Sequence, residues 1–137
     1  MMKRQFPALA VAGLIALAGC SSGGTSASAP ADLQGTWTGS SSYSVPDGST
    51  AGGAEKLVIE KQDGAMLWGY TEYTDTDGTP AKNIVTGTVM NNGTGVVLTE
   101  PQTTWQGSVE GNQLTVVVSW TDSPKDHGAF EMTLTKQ

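Results

Sequence analysis

Apolar and polar residues alternate in short runs along the chain from residue 33 onward, and turn-forming residues separate these runs. Alternation with a period of two is typical of strands that bury one face, and no stretch there keeps the spacing of an amphipathic helix for long. The pattern predicts eight strands, at residues 35–44, 55–62, 65–74, 83–90, 95–100, 103–110, 113–121 and 129–136.

The connections between these strands alternate in character. Three are tight-turn sequences with glycine beside Asn or Asp, namely "QDGA", "NNGT" and "EGNQ", and those between them are generally longer, such as "TDTDGTPAK". Successive connections of a meander lie at opposite ends, so the tight turns should gather at one closed end and the longer loops at an open one, the mouth. We therefore expect an all-β fold, an eight-stranded antiparallel up-and-down β-barrel.

The first residues differ in composition from the rest. "MMKRQ" is basic, and the run from Phe6 to Ala18 is almost wholly apolar, yet too short to span a bilayer as a permanent helix. The run leads into "LAGC", in which Cys20 is the only cysteine of the chain, so an internal disulfide is impossible. We interpret residues 1–19 as a signal peptide.

This order of basic start, apolar run and cysteine box resembles the signal of bacterial lipoproteins. The resemblance implies that Cys20 carries a lipid such as palmitate and anchors the protein to a membrane, stably because more than one acyl chain is attached. In Gram-negative lipoproteins an aspartate after the cysteine is the usual inner-membrane retention signal, and Ser21 stands there instead. We therefore expect a lipid-anchored cell-envelope protein, in the outer membrane if the source is Gram-negative, and both the periplasmic and the surface-facing orientation stay open.

Residues 20–32 consist of the cysteine and a Ser-, Gly- and Ala-rich stretch without large apolar side chains, which predicts a flexible tether. Residues 33–137 are long enough to form one β-barrel domain around a single core. The whole chain has a net charge of −6, and it becomes more acidic when Lys3 and Arg4 leave with the signal peptide. Such a surface repels nucleic acid, so we expect no nucleic-acid partner.

Several strand sequences are similar to those of the calycin barrels, which include the lipocalins, and most to the avidin and streptavidin group. "GTWTG" matches the Gly-x-Trp opening of the first strand, and "DGAMLWGYTEY", "IVTGTV" and "TTWQGSVEGN" resemble later strands. The resemblance implies the barrel fold but not biotin binding, because a pocket without its polar groups cannot recognise the ureido ring. The positions of the family's biotin-holding polar residues carry Gly39, Tyr43, Thr71, Tyr73 and Met132, and only the aromatic Trp105 and Trp120 persist.

Strand directions place the aromatic residues at two ends. Trp37 and Trp68 lie toward the closed end, and we interpret both as structural, since the tryptophan of the Gly-x-Trp opening fills the barrel floor in calycins. The candidate ligand-binding residues lie toward the mouth, although core filling alone would also account for them; they are Tyr43, Tyr73, Trp105 and Trp120. The rim of this pocket would comprise Asp47, Asp75, Asp77, Lys82, Asp122 and His127.

Residues suited to catalysis or metal binding are sparse. His127 is the sole histidine and is predicted to lie in a solvated loop, so nucleophilic catalysis and a zinc site lack partners. "DTDG" at residues 75–78 resembles the start of a calcium loop without its closing glutamate, and turn formation explains it. The glutamates that we interpret as lying on solvated strand faces are Glu60, Glu72, Glu100 and Glu131.

The sequence therefore favours a non-enzymatic, membrane-anchored barrel without a cofactor or metal, which binds a small apolar or aromatic ligand or a protein partner. The first alternative is a protein-interaction module, such as a periplasmic protease inhibitor, that binds through its loops and N-terminal segment. The second, ranked last, is a hydrolase that uses a pair of carboxylates.

Overall fold

The computed structural model describes residues 27–44, 48–75, 77–123 and 126–137. Within these ranges no helix is long and apolar enough to cross a membrane. The strands are β1 (Gly35–Ser40), β2 (Tyr43–Ser44), β3 (Thr50–Ala51), β4 (Ala54–Asp63), β5 (Met66–Thr74), β6 (Pro80–Val89), β7 (Gly95–Thr99), β8 (Thr103–Glu110), β9 (Gln113–Ser123) and β10 (Asp126–Lys136).

β1 and the seven strands from β4 to β10 form a closed antiparallel barrel. From β4 onward each strand pairs with the next along the chain, and β1 closes the ring by pairing with both β10 and β4. Closure satisfies the hydrogen-bonding groups that an open sheet would leave along its edge strands. The predicted fold class, an eight-stranded up-and-down barrel, is confirmed.

The tight turns gather at one end of this barrel. Asp63 pairs with Met66 across the β4–β5 connection, and Glu110 pairs with Gln113 across the β8–β9 connection, so both are two-residue hairpins. The first turn residue of each is a glycine in the left-handed region, with φ of 57° and 60° respectively, as a type II′ turn requires. Ser40 pairs with Ala54 and Thr74 pairs with Pro80 at the other end, so the closed end and the mouth are where the connection pattern predicts them.

The first strand is shorter than predicted. The pattern predicts a strand over residues 35–44, whereas β1 ends at Ser40. The Ser41 backbone exchanges hydrogen bonds with that of Gly53 (2.9 and 3.1 Å), in the register of the β1–β4 ladder. Residues 43–44 then pair with 50–51 as the small hairpin β2–β3. Tyr43 therefore lies on this hairpin and not on a barrel strand.

The β9–β10 ladder extends further toward the mouth than predicted. β10 begins at Asp126, and His127 pairs with Thr121. The prediction that His127 lies in a loop is therefore wrong, although the residue is exposed as expected. The apolar alternation ends before the strand does, because backbone pairing in an antiparallel ladder continues without apolar side chains.

The barrel interior is filled mainly by aliphatic side chains at alternating strand positions. At the closed end, Trp37 is fully buried and its indole Nε1–H donates to the Leu33 carbonyl oxygen at 2.8 Å. The Gln62 side chain accepts a hydrogen bond from the Leu33 N–H (2.8 Å) and donates one to the Ala31 carbonyl oxygen (2.9 Å). Residues 31–33 therefore cover the barrel floor beside the Trp37 ring, although composition assigns the first two of them to the tether.

Trp68 lies on the other face of the barrel wall. Leu67, Gly69 and Thr71 are buried, so strand alternation directs Trp68 outward, where it is 36% exposed and has the Lys61 ammonium 5.0 Å from its ring. Trp37 therefore fills the interior at the closed end, whereas the Trp68 ring lies on the outer face. Both are near the same end, but the phase of the strand decides which ring enters the interior.

Trp37→Phe should lower the free energy of unfolding by about 2 to 3 kcal/mol, because it removes the donor to a buried carbonyl oxygen and leaves unfilled volume. The matched variant on the outer face, Trp68→Phe, should change it by less than about 1 kcal/mol. Urea unfolding followed by circular dichroism measures both. If both variants lowered the free energy of unfolding equally, the conclusion that Trp37 rather than Trp68 fills the barrel floor would be contradicted.

Candidate functional site

A pocket of about 210 Å³ lies at the mouth of the barrel. All four residues that the sequence predicts as ligand-binding line it, together with one further aromatic residue, Phe130. The aromatic lining is thus Tyr43, Tyr73, Trp105, Trp120 and Phe130, and the polar lining is Glu55, Gln102, Thr103 and Asp122.

Tyr43, Trp120 and Phe130 contact one another, and we call them the aromatic cluster. The rings of Tyr43 and Phe130 are stacked, with centroids 4.6 Å apart and planes at 10°. The Trp120 ring is tilted against both, at 5.1 Å from Tyr43 and 5.9 Å from Phe130. Ring pairs in such geometry contribute about 0.5 to 1.5 kcal/mol each beyond their buried area. The cluster therefore holds the β2–β3 hairpin against the mouth.

The position of the Trp120 ring depends on a glycine in the neighbouring strand. Gly128 pairs with Trp120 across the β9–β10 ladder, and a Cβ at residue 128 would lie 2.4 Å from Cη2 of the Trp120 ring. Only the absence of a side chain at Gly128 lets the ring lie there. Phe130, two residues further along β10, shares this inward face and completes the cluster.

Sequence reasoning missed Phe130, although its signal was present. Phe130 precedes the buried Met132 and Leu134 at a spacing of two in β10. That alternation places all three side chains on the inward face.

Glu55 is the acidic residue of the pocket wall. It lies two residues before the buried Leu57 in β4, so its side chain is on the inward face. Its carboxylate accepts a hydrogen bond from the Ser41 hydroxyl at 3.2 Å. Burial raises the pKa of Glu55 to about 7, the hydrogen bond from Ser41 opposes this, and the nearby Glu100 carboxylate adds to it. Near neutral pH the pocket therefore holds both the charged and the neutral form of this group.

Glu100 is a second inward carboxylate, which contradicts the prediction of a solvated strand face. It follows β7 at two residues after the buried Leu98, so it continues the inward alternation past the end of the strand. The Thr71 hydroxyl donates a hydrogen bond to it. Burial raises the pKa of Glu100, and this hydrogen bond is the foremost opposing effect.

The other glutamates agree with the prediction. Glu60 and Glu131 are exposed. Glu72 lies on the outer face of β5, where its carboxylate is 2.9 Å from the Lys56 ammonium.

Trp105 lines the pocket with its ring, and its indole nitrogen is buried. The residue is only 3% exposed, and its buried Nε1–H has no hydrogen-bond acceptor in the part of the chain that the structure describes. The indole lies close enough to Glu100 to lower the pKa of that carboxyl, though outside hydrogen-bond geometry. A buried donor without an acceptor costs about 1 to 3 kcal/mol, so this indole nitrogen lowers the stability of the fold.

The predicted rim residues are more dispersed. Asp122 lines the pocket and accepts a hydrogen bond from the Gln102 amide at 3.0 Å. Asp77 instead stabilises its own turn: its carboxylate accepts hydrogen bonds from the Thr79 hydroxyl (2.6 Å) and N–H (2.9 Å), which lower its pKa. The Lys82 ammonium lies 3.4 Å from the centroid of the Tyr70 ring. Asp75 and His127 are not among the described lining residues.

Four sequence predictions fall on residues that the structure does not describe: the signal peptide, the lipidated Cys20, the first part of the tether (residues 21–26) and the rim residue Asp47. Among the residues that it does describe, no group of three His, Cys, Asp or Glu side chains could hold a metal ion.

Glu55→Gln should remove part of the pH dependence of stability. Because the pKa of Glu55 in the folded protein, about 7, exceeds the ordinary value of 4.5, the folded state binds this proton more tightly than the unfolded chain does. The free energy of unfolding therefore falls as the pH rises from about 4.5 to about 7. With solvent screening of a partly exposed carboxylate allowed for, about 1 to 2 kcal/mol of this fall should disappear in the variant.

Urea unfolding at about pH 5 and about pH 8 measures this difference, with Glu60→Gln on the outer face of the same strand as the control. Glu60→Gln should keep the full wild-type difference. A Glu55→Gln protein that also keeps it would contradict the assignment of a buried, protonatable carboxyl to Glu55.

Comparison with known proteins adds to the description of the fold. No protein-family model and no curated protein sequence matches the chain. The solved structure of EF1p2_mFAP2b bound to DFHBI is similar to it, with a TM-score of 0.57 and 17% sequence identity over 77% of this chain and 94% of that chain. At this identity the similarity concerns the fold alone. Together with the closed eight-stranded meander, it shows that the domain has a calycin-like barrel fold.

Proposed function

We propose that the protein is a non-enzymatic binding protein whose mouth pocket takes a small apolar or aromatic ligand. The observation that carries this proposal is the pocket of about 210 Å³ among aromatic side chains at the open end of the barrel. An apolar cavity of about 150 Å³ accommodates benzene, and most ligand pockets exceed about 300 Å³. The volume therefore suits a ligand of one or two rings.

The similar fold of EF1p2_mFAP2b supports this proposal. That protein is bound to DFHBI, so a barrel of this architecture can hold a compound. Eight strands enclose an interior that is either filled by side chains or holds one small ligand. In this chain the aliphatic core fills the lower barrel, and the pocket lies above it, next to Val118.

The carboxylates favour binding over hydrolysis. A glycoside hydrolase of the usual kind needs two carboxyl groups on either side of the bond that it breaks. Glu55 and Asp122 line the pocket, but Asp122 is exposed and its carboxylate accepts a hydrogen bond from the Gln102 amide. Glu100 receives a hydrogen bond from Thr71 and is not among the described lining residues. The arrangement suits a ligand-binding pocket better than a pair of catalytic acids.

A second candidate function, protein binding, is favoured by the outer face of β5 and β6. Ile84 is 76% exposed, and Met66 and Trp68 on the adjacent strand are 49% and 36% exposed. Tyr70 pairs with Ile84 on the same face. Capture of one defined partner that is lost in Ile84→Glu, together with no ligand binding in the mouth, would favour this function over the first.

Lipid anchoring completes the proposal. The Ala31 N–H donates to the Gly93 carbonyl oxygen at 2.8 Å, in the β6–β7 turn of the closed end. A lipid on Cys20 would therefore attach at the closed end, and the mouth would face away from the membrane. This arrangement leaves the pocket accessible to ligands in solution.

Cys20→Ser should abolish incorporation of labelled palmitate and release the protein from the membrane fraction, because the acylated sulfur is the anchor in this proposal. Metabolic labelling and membrane fractionation measure the two effects. The control is Ser22→Ala, which leaves the cysteine and should behave as wild type. Labelling that is unchanged in Cys20→Ser would refute the lipoprotein proposal.

Trp120→Ala should weaken ligand binding at least about tenfold, since it removes the largest ring of the aromatic cluster. The measurement is tryptophan fluorescence of the full chain, titrated with a panel of one- and two-ring compounds, sugars, lipids and DFHBI. The matched control is Trp68→Ala, whose ring is on the outer face and should not affect affinity.

Gly128→Ala offers a second variant that leaves every aromatic residue in place. Its methyl group would push the Trp120 ring out of position, so it should also weaken binding. A flat titration in the wild-type protein, or affinity that survives both variants with the fold intact by circular dichroism, would overturn the pocket proposal.

A further inference from the structure

We propose that the mouth pocket selects protonated amines with a small aromatic body, with the ammonium group at the Glu55 carboxylate and the ring against the aromatic cluster. The inference rests on the proposed small-ligand function and adds the charge of the ligand to it.

The first observation is an acidic group in the pocket without a cationic partner. Among the described lining residues there is no lysine, arginine or histidine. Lys56 follows Glu55 in the chain, but strand alternation turns it to the outer face, where its ammonium is 2.9 Å from the Glu72 carboxylate. A partly buried carboxylate is strongly stabilised by an opposite charge, and here the ligand would supply that charge.

The groups that face Glu55 from the neighbouring elements make the pocket more acidic still. Glu100 approaches from the end of β7, and its carboxylate interacts unfavourably with that of Glu55. Asp122 lines the pocket from β9, Tyr73 from β5 and Tyr43 from β2, and none of these side chains carries a positive charge. The pocket therefore attracts cations and repels carboxylate-bearing ligands.

The aromatic walls favour the same class of ligand. Cations are attracted to the faces of tryptophan and tyrosine rings by about 0.5 to 2 kcal/mol, most strongly when water is excluded. Trp120, Trp105 and Tyr73 line the pocket with Glu55, so one small cavity offers both ring surfaces and a carboxylate. A neutral aromatic ligand would contact the ring surfaces without pairing with the carboxylate. A simple ammonium ion would pair with the carboxylate but cover little of the apolar surface.

Isothermal titration calorimetry with three probes of similar shape tests the inference. The full chain is reconstituted in lipid nanodiscs, and empty nanodiscs correct for partition of the probes into lipid. At about pH 8, where Glu55 is mostly ionised, 2-phenylethylamine should bind at least about tenfold more tightly than the neutral 2-phenylethanol. The anionic 3-phenylpropionate should bind more weakly than the alcohol.

Two variants locate the source of this preference. Glu55→Gln should reduce the amine-to-alcohol affinity ratio to about one, because it removes the charge that distinguishes the two probes. Glu60→Gln, on the outer face, should keep the wild-type ratio. In the wild-type protein the affinity for the amine should rise several-fold from about pH 5.5 to about pH 8 as Glu55 loses its proton, and this rise should be absent in Glu55→Gln.

The outcomes separate this inference from the function on which it rests. Equal affinity for the amine and the alcohol, or a preference for the amine that persists in Glu55→Gln, overturns the amine inference and leaves the pocket proposal standing. Failure of all three probes to bind overturns both.

Discussion

Closure of the barrel by β1 is the constraint on which the rest of the structure depends. Gly39 pairs with Leu134 of β10 on one side and with Glu55 of β4 on the other. A Cβ at Gly39 would lie 2.4 Å from the Thr133 carbonyl oxygen, so the seam can close this tightly only around a glycine. The same register sets the phase of β4 and brings Glu55, rather than Lys56, to the inside of the mouth.

The interior of the closed barrel has space for few side chains, and different kinds of side chain fill its two ends. At the floor, Trp37 and Leu33 bury apolar surface, the Trp37 indole N–H donates to the Leu33 carbonyl oxygen, and the Leu33 N–H donates to the Gln62 side chain. At the mouth, aromatic rings share the space with Glu55 and the unpaired Trp105 indole. Such polar groups lower the stability of a core, and proteins typically retain them where they contribute to a functional site.

Much of the fold follows from local rules that operate within the sequence. Eight strands, their order and the two ends of the barrel can be predicted from three local features. These are the period-two alternation, the glycines in two-residue turns and the alternation of short and long connections. Interactions between distant segments lie outside those rules. Beyond β1, residues 43–44 pair with residues 50–51 in a sheet separate from the barrel, and nothing near residue 43 in the sequence indicates that separation.

The site was only partly predictable for a related reason. The four predicted aromatic residues do share one pocket, because strand direction alone brings them to the mouth. Whether a side chain points into the barrel or out of it depends on its position in the strand alternation, and a shift of one residue exchanges the two faces. This alternation directs Trp37, Glu55 and Glu100 inward and Trp68 outward. β4 contains a register shift between Ile59 and Lys61, so alternation cannot be followed through such a strand without its partner. The volume left between the rings depends on all of these positions together.

The central claim is that the mouth holds an open pocket in which a carboxylate and aromatic rings act on one ligand. A crystal structure of the protein grown with 2-phenylethylamine tests it most directly. The account predicts electron density for the ligand between Trp120 and Tyr73, with its nitrogen within hydrogen-bond distance of the Glu55 carboxylate. A mouth packed solid by the aromatic cluster, with no density for the ligand, would contradict it.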